Sequence, residues 1–150
     1  MFKHILVPID GSATSLAAID KAAALAKAFG ATVSAIFVID PYPFTGVGAD
    51  FAYGQDQYLN AARAEASAAI DAANARLKAG GVDATTEVIE SHSVWRGILD
   101  AAASVGADLI VMGSHGRKGL EKLVLGSVAQ SVLARTTIDT LVVRAPGAAD

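Results

Sequence analysis

The sequence predicts an α/β fold, an open parallel sheet with helices on both faces, and three observations carry that prediction. Five short apolar runs stand apart along the chain, at residues 5–9, 33–39, 85–89, 109–112 and 141–143. Several of them are near-continuous rather than alternating, the pattern of strands buried on both faces. The segments between them are rich in alanine, a strong helix former, and close on glycines. Strands alternating with helices build right-handed crossovers, which place the strands side by side in parallel with a helix layer on each face. No second copy of the pattern follows, so residues 1–150 read as a single domain.

Taken in order, the first run ends at Asp10, and Gly11 and Ser12 turn the chain out of it. Ser12 is a strong N-cap residue and predicts a helix running to about Phe29, with Gly30 just past its end. The second run leads into residues 40–54, rich in proline, glycine and aromatics, where the length predicts a flap or functional loop, or else an ordinary surface loop. A longer helix is expected over 55–79, stopped by Gly80 and Gly81. After the third run comes a helix from about Ser93 to Val105, stopped at Gly106. Trp95 within it is expected in the core, the alternative being the border of an interface. The fourth run breaks into glycines, and a last helix is expected from Ser127 to Arg135 before the closing run.

Composition narrows the function. The chain is 53 % hydrophobic, has a formal net charge of -3 and no cysteine. No block of Lys and Arg offers a basic face, which excludes a nucleic acid as partner. A single nucleotide needs only a few amides and one or two cations, so small anions remain. The missing cysteines exclude a disulfide scaffold, a thiolate metal site and a cysteine nucleophile. The N-terminal apolar run is short and ends at Asp10, unlike a signal peptide or a membrane span, so no membrane partner and a cytoplasmic location are expected.

The stretch that carries chemistry is "MGSHGRKGLEKLVLGS". Gly113, Gly116 and Gly126 are spaced by two and nine residues, and Ser127 follows. Glycines let backbone amides approach a phosphate, and a helix opening at Ser127 adds unpaired amides and the positive end of its dipole. The Ser127 hydroxyl is a further donor, and Arg117 and Lys118 supply cationic charge. Each residue also has a plainer use: Gly113 as a strand-end turn, Ser127 as an N-cap, the basic pair as a solvated tip. Asp10 ends the first strand at the same end of the sheet. Its carboxylate would repel a phosphate but can accept from a ribose hydroxyl or an adenine amine; its plainer use is in capping the first helix. Neither a Walker loop nor a dinucleotide-binding glycine fingerprint is present.

These residues resemble the ATP-binding branch of the universal stress protein family, whose G-x2-G-x9-G-[ST] pattern stands here as Gly113, Gly116, Gly126 and Ser127. "ILVPIDGS", "ADLIVMGSHGRKGLEKLVLGSVAQSVL" and the closing "LVVR" extend the likeness over essentially the whole chain. The resemblance implies a Rossmann-like, five-stranded sheet in the order 3-2-1-4-5. It implies that Pro8, Ile9 and Asp10 sit by the adenosine and Val38 near the adenine. Gly113, Gly116, Gly126, Ser127 and Val128 would contact ribose and phosphates, with Met112 and Arg117 completing the set. The ligand would be ATP, or AMP or ADP, with Mg2+ or Mn2+ on the phosphates. A homodimer paired through the last strand (Leu141, Val142, Val143) is also implied, the protein then being a nucleotide-dependent regulator of the stress response with an unidentified partner. Two departures stand out: Asp139 occupies a place before the last strand where the family commonly has proline, and "SHSVWRGIL" replaces a glycine-proline entry to the third helix.

No catalytic residue is assigned. His4, His92 and His115 are too scattered for a metal triad. His115 is expected to point outward into solvent, a phosphate contact being the alternative. No carboxylate is placed to orient a water at a γ-phosphate and no arginine finger stands out, so hydrolysis is expected to be weak at most. A slow ATPase and a structural dimer with an empty loop are the competing functions.

Overall fold

In the computed structural model, which describes residues 1–41, 49–115 and 125–144 (the backbone alone for 49–53), strands and helices alternate along the chain. The order is β1 (His4–Ile9), α1 (Ala13–Phe29), β2 (Thr32–Ile39), α2 (Ala49–Ala79), β3 (Ala84–Glu90), α3 (Val94–Val105), β4 (Leu109–Gly113), α4 (Ser127–Arg135) and β5 (Asp139–Val143). The strands form one parallel sheet in the order β3-β2-β1-β4-β5, as the resemblance implied.

Both faces of the sheet are covered, which is why its strands read as unbroken apolar runs. Ile5, Val7 and Ile9 point to one side and pack with Ile19 of α1 and Leu77 of α2. Leu6, Ile36 and Ile110 point to the other and pack with Ile98 of α3 and Val132 of α4. The helices of the first side meet the sheet through buried alanines, Ala18, Ala22 and Ala26 on α1 and Ala66, Ala69 and Ala73 on α2. At three- and four-residue spacing these form one narrow stripe on each helix, and their small size lets the backbone lie close to the strands.

The first helix is delimited as the sequence predicts. The Ser12 hydroxyl accepts from the Ser15 amide at 3.1 Å, and Gly30 takes a left-handed φ of 71° past the last turn. Elsewhere tertiary structure moves the limits. Helix α2 begins at Ala49, six residues before the expected start at 55, so the later part of the 40–54 stretch is helical and not loop. Gly54 lies inside this helix, where a glycine costs only about 1 kcal/mol relative to alanine. Residues 42–48 lie outside the described residues. Strand β5 starts two residues before its apolar run, because Asp139 and Thr140 ladder onto Leu109 and Ile110. Trp95 packs against the α3–α4 core cluster, as expected, but is only half-buried, with the Arg135 guanidinium 4.4 Å and that of Arg96 5.1 Å from its ring.

Between β1 and β4 the strand order turns back, and there the pairing is short. β1 matches β2 at six positions but β4 only at Ile5–Leu109 and Leu6–Ile110. The backbone phase explains the break. His4 accepts from the Asp108 amide at 3.0 Å, so the even-numbered residues of β1 turn their backbone toward β4. The next amide in that phase after Leu6 belongs to position 8, and Pro8 has none to give. The ladder ends there, and the two strands continue without pairing to their C-terminal ends.

The opposite end of the same strand pair is clamped. The Asp108 carboxylate accepts from the Lys3 amide at 2.9 Å and the His4 amide at 3.0 Å. Desolvation works to raise this carboxyl, but the amides of His4, Lys3 and Asp108 itself, together with the His4 charge, outweigh it and hold the group below its ordinary value.

Two outcomes follow. Pro8→Ala supplies the missing donor, so hydrogen exchange should find the new amide at position 8 protected and the β1–β4 ladder extended; free exchange of that amide would mean something else parts the strands. A carboxylate whose pKa is lowered in the fold stabilises it above the unfolded value of about 3.9 and loses that contribution as pH falls through the lowered one. Asp108→Asn should therefore be less stable than the parent in urea at pH 7, with the gap narrowing below about pH 4.

Candidate functional site

Where β1 and β4 part, a cavity of about 450 Å³ opens beyond the C-terminal ends of the strands, the place where open α/β sheets bind ligands. One wall is the end of β1, with Pro8, Ile9 and Asp10. Val38 of β2, with Val94 and Ile98 of α3, makes an apolar side. The opposite wall is Met112 and Gly113 of β4, continued by Ser114 and His115, and the floor is Gly126, Ser127 and Val128 at the start of α4. All the site residues named from the sequence thus meet on one cavity except Gly116 and Arg117, which, with Lys118, lie outside the described residues.

The Asp10 carboxylate is half-committed. Its Oδ1 accepts from the Ser12 amide at 2.9 Å, the turn-forming use foreseen as the plainer role, while Oδ2 has no partner among the described residues. The same residue therefore shapes the entry to α1 and presents an acceptor to the cavity. Gly113 is required for packing. A Cβ there would sit 2.7 Å from Thr14 Cγ2, and Thr14 is buried in the first turn of α1. Gly97 acts likewise from behind the apolar side: a Cβ would lie 3.0 Å from both Val38 Cγ1 and Ser91 Cβ, so its absence lets α3 close on β2.

Ser114 ties the far wall together. Its amide donates to the Val143 carbonyl and its carbonyl accepts from the Gly126 amide, both at 2.7 Å. One residue thus holds β4, β5 and the start of α4 in place. Helix α4 is capped by Gly126, without a side-chain hydrogen bond. Ser127 is consequently the first helical residue and not the N-cap, and its hydroxyl is left out of the cap. Gln130 makes the first backbone bond of the helix, to Gly126 O at 3.0 Å, so the amides of Ser127, Val128 and Ala129 have no intrahelical acceptor. They and the helix dipole give this floor a positive character.

His115 corrects an expectation. It lines the cavity with its Nε2 buried and its Nδ1 3.2 Å from Ser114 Oγ, instead of pointing out to solvent. Val94 and Ile98 were not foreseen either. Their four-residue spacing marks one face of α3, but the sheet position that face covers is set by the crossover. Among the described residues no group of three or more His, Asp or Glu side chains is placed to hold a metal ion, so the cavity combines an apolar slot, one carboxylate and a cluster of amide donors.

Residues 1–144 match the family model described as the universal stress protein family. A universal stress protein of Methanocaldococcus jannaschii, MJ0531, is 37 % identical over 146 residues, covering 97 % of this chain and 84 % of the relative. A structure of a universal stress protein family member from Burkholderia pseudomallei superposes with a TM-score of 0.77 at 30 % identity, covering 95 % of this chain and 96 % of that one. A universal stress protein in complex with cAMP superposes with a TM-score of 0.69 at 27 % identity, over 96 % and 98 % of the two chains.

The close approach at Gly113 has a measurable consequence. Gly113→Ala forces α1 away from β4 or Thr14 off its rotamer and should cost about 1–3 kcal/mol in urea unfolding. A loss below about 0.5 kcal/mol, the size of a neutral surface change, would show that the contact relaxes freely.

Proposed function

The chain belongs to the universal stress protein family, and from that premise we propose that it binds an adenine nucleotide, ATP first and AMP or ADP as alternatives, in the cavity between β1 and β4. The observation that carries the proposal is the chemical asymmetry of that cavity. An apolar slot lies on one side, with a carboxylate oxygen that has no partner among the described residues, and helix amides without an intrahelical acceptor lie on the other. An adenine fits the slot beside Val38, with Val94 and Ile98 as its apolar surroundings. Asp10 Oδ2 accepts from a ribose hydroxyl or the adenine amine, and Pro8 and Ile9 flank the nucleoside. The phosphates then lie toward Met112, Gly113, Gly126, Ser127 and Val128, and Gly116 and Arg117, outside the described residues, belong to the same proposed set. A relative of known structure that holds cAMP supports the nucleotide class. Mg2+ or Mn2+ would be held chiefly by phosphate oxygens.

The protein acts in this proposal as a cytoplasmic, nucleotide-dependent regulator of the stress response, with weak hydrolysis at most. No helix among the described residues is long and apolar enough to cross a membrane. A homodimer through β5 accompanies the proposal, on the support that Leu141 and Leu133 are 38 % and 40 % exposed large apolar side chains, Leu141 lying on an edge strand paired on one side only, to β4. Leu141, Val142 and Val143 would form the paired edge.

A ligand that binds only the folded state stabilises it by about 2.7 kcal/mol at a hundredfold excess over its Kd. Millimolar ATP with Mg2+ should therefore raise the melting temperature of the parent chain, and Gly126→Val, which puts a branched side chain at the cradle, should abolish the rise while leaving the unliganded chain folded. Mass spectrometry of nucleotide released from gently purified protein identifies the ligand. An unchanged melting temperature and no released nucleotide would point to an empty structural site.

A further inference from the structure

We propose that the outer edge of β3, with the groove between that strand and α3, binds an extended segment of a partner protein in which basic and apolar residues alternate, the segment joining the sheet as a further strand. This surface stands apart from the nucleotide reading, since the groove and the nucleotide cavity share no lining residue.

The backbone of β3 is half-used. It is the last strand on its side of the sheet and pairs with β2 alone, at every position from Ala84 to Glu90. Val33 donates to the Asp83 carbonyl at 3.0 Å and Ser91 to the Ile39 carbonyl at 2.9 Å. The odd-numbered residues therefore turn their backbone toward β2, and the even-numbered ones turn theirs outward. The N–H and C=O groups of Thr86 and Val88 have no partner among the described residues. Proteins commonly blunt such an edge with proline, lysine or a bulge. The run "ATTEVIE" has no proline and no lysine, and its register with β2 is unbroken. A straight edge of this kind is a template for an added strand.

The two faces beside the edge specify the segment. On one face α2 takes Glu90 through Arg63 at 2.9 Å and Thr86 through Asn74 at 3.4 Å, and between them Val88 stays 43 % exposed. On the other face α3 packs over Leu6 and Ile36 of β1 and β2. A cavity of about 290 Å³ is left between its flank and β3, lined by Thr85, Glu87 and Ile89 of the strand and by Asp100 and Val105 of the helix. That volume is at the low end of the roughly 300–1,000 Å³ of small-molecule pockets and suits side chains. The hydroxyls at its base are already paired: Ser34 Oγ lies 3.0 Å from Thr85 Oγ1 and 2.8 Å from His4 Nε2. What the groove leaves over is negative charge. Glu87 and Asp100 are exposed, have no ion-pair partner among the described residues, and no Lys, Arg or His among those residues lines the groove.

Side chains of an added strand alternate between these faces. Basic residues on the α3 side lay their stems along Ile89 and Val105 and bring their charges to Glu87 and Asp100, while apolar residues on the other side cover Val88. A second copy of this chain fits less well, because it would set the same carboxylates together on a chain of net charge -3.

The probe is a fluorescein-labelled synthetic peptide, about as long as β3, that alternates lysine with valine. Fluorescence anisotropy at low salt should show it binding the parent chain, more weakly as salt is raised. The same peptide with glutamate for lysine should not bind. Glu87→Lys combined with Asp100→Lys, both at exposed positions, should weaken the lysine peptide at least about tenfold. A peptide with N-methylated backbone amides keeps its charge and loses its ladder bonds, and it should not bind. Val88→Pro should have the same effect from the protein side, since the amide it removes serves no bond to β2. Hydrogen exchange of the parent should show the Thr86 and Val88 amides slowed by the lysine peptide. No binding, binding indifferent to the double charge reversal or to N-methylation, or slowed exchange on β5 in place of β3 would overturn the proposal. Self-association of the peptide-free parent that Val88→Pro abolishes would overturn it too, a second copy then being the occupant of the edge.

Discussion

The amide that Pro8 lacks is the constraint on which the rest of the site depends. A parallel sheet gains by laddering every strand to its neighbours, and nothing in the apolar sequence of β4 would stop it from pairing along the whole of β1. The missing donor on the β4 side stops it after two matched positions. Because the strand order reverses at the same boundary, the helices leaving the two strands lie on opposite faces, and a crevice is left above the unpaired ends. The Asp108 clamp makes the gap one-sided. With the two strands clamped at their N-terminal ends, their pairing stops only at the end where the cavity lies.

The walls of the cavity are then set by close approach. Gly113 lets the first turn of α1 press against the end of β4, and Gly97 lets α3 press against Val38. In both places a single methyl group would contact an atom already there. The Ser114 backbone supplies the polar counterpart, since its two hydrogen bonds bring the end of β4, the end of β5 and the start of α4 to one point. An edge strand and a helix N-terminus are thereby held to the same residue that anchors the His115 ring. The cavity is braced where these contacts meet, and the Gly126–Ser114 bond ties the start of α4 to the end of β4.

Much of this was legible beforehand because local chemistry and global position agree. Ser12 and Gly30 delimit α1 by capping rules that act within one turn. The unbroken apolar runs announced burial on both faces, and Gly113 and Gly126 announced the end of a strand and the start of a helix. What was misread depends on contacts distant in sequence. Helix α2 extends past Gly54, whose modest local penalty a long packed helix absorbs. Asp139 and Thr140 become strand because β4 offers them a ladder, although neither is apolar. His115 lines the cavity next to Ser114, which is buried at the junction of two strands and a helix, a fact no window around position 115 contains.

The sequence by itself determined the alternation of strands and helices, the parallel sheet with two covered faces, and the chemical types gathered at the carboxyl ends of the first and fourth strands. These follow from periodicity, capping and the residue chemistry of short stretches, which act over a few residues. Tertiary structure alone decided that Pro8 ends a ladder, that Val94 and Ile98 form the apolar side of the cavity, and that His115 keeps a buried nitrogen without a partner. Each of those depends on which strand or helix lies alongside, and adjacency across a hundred residues is created by the crossovers and the packing of the whole sheet.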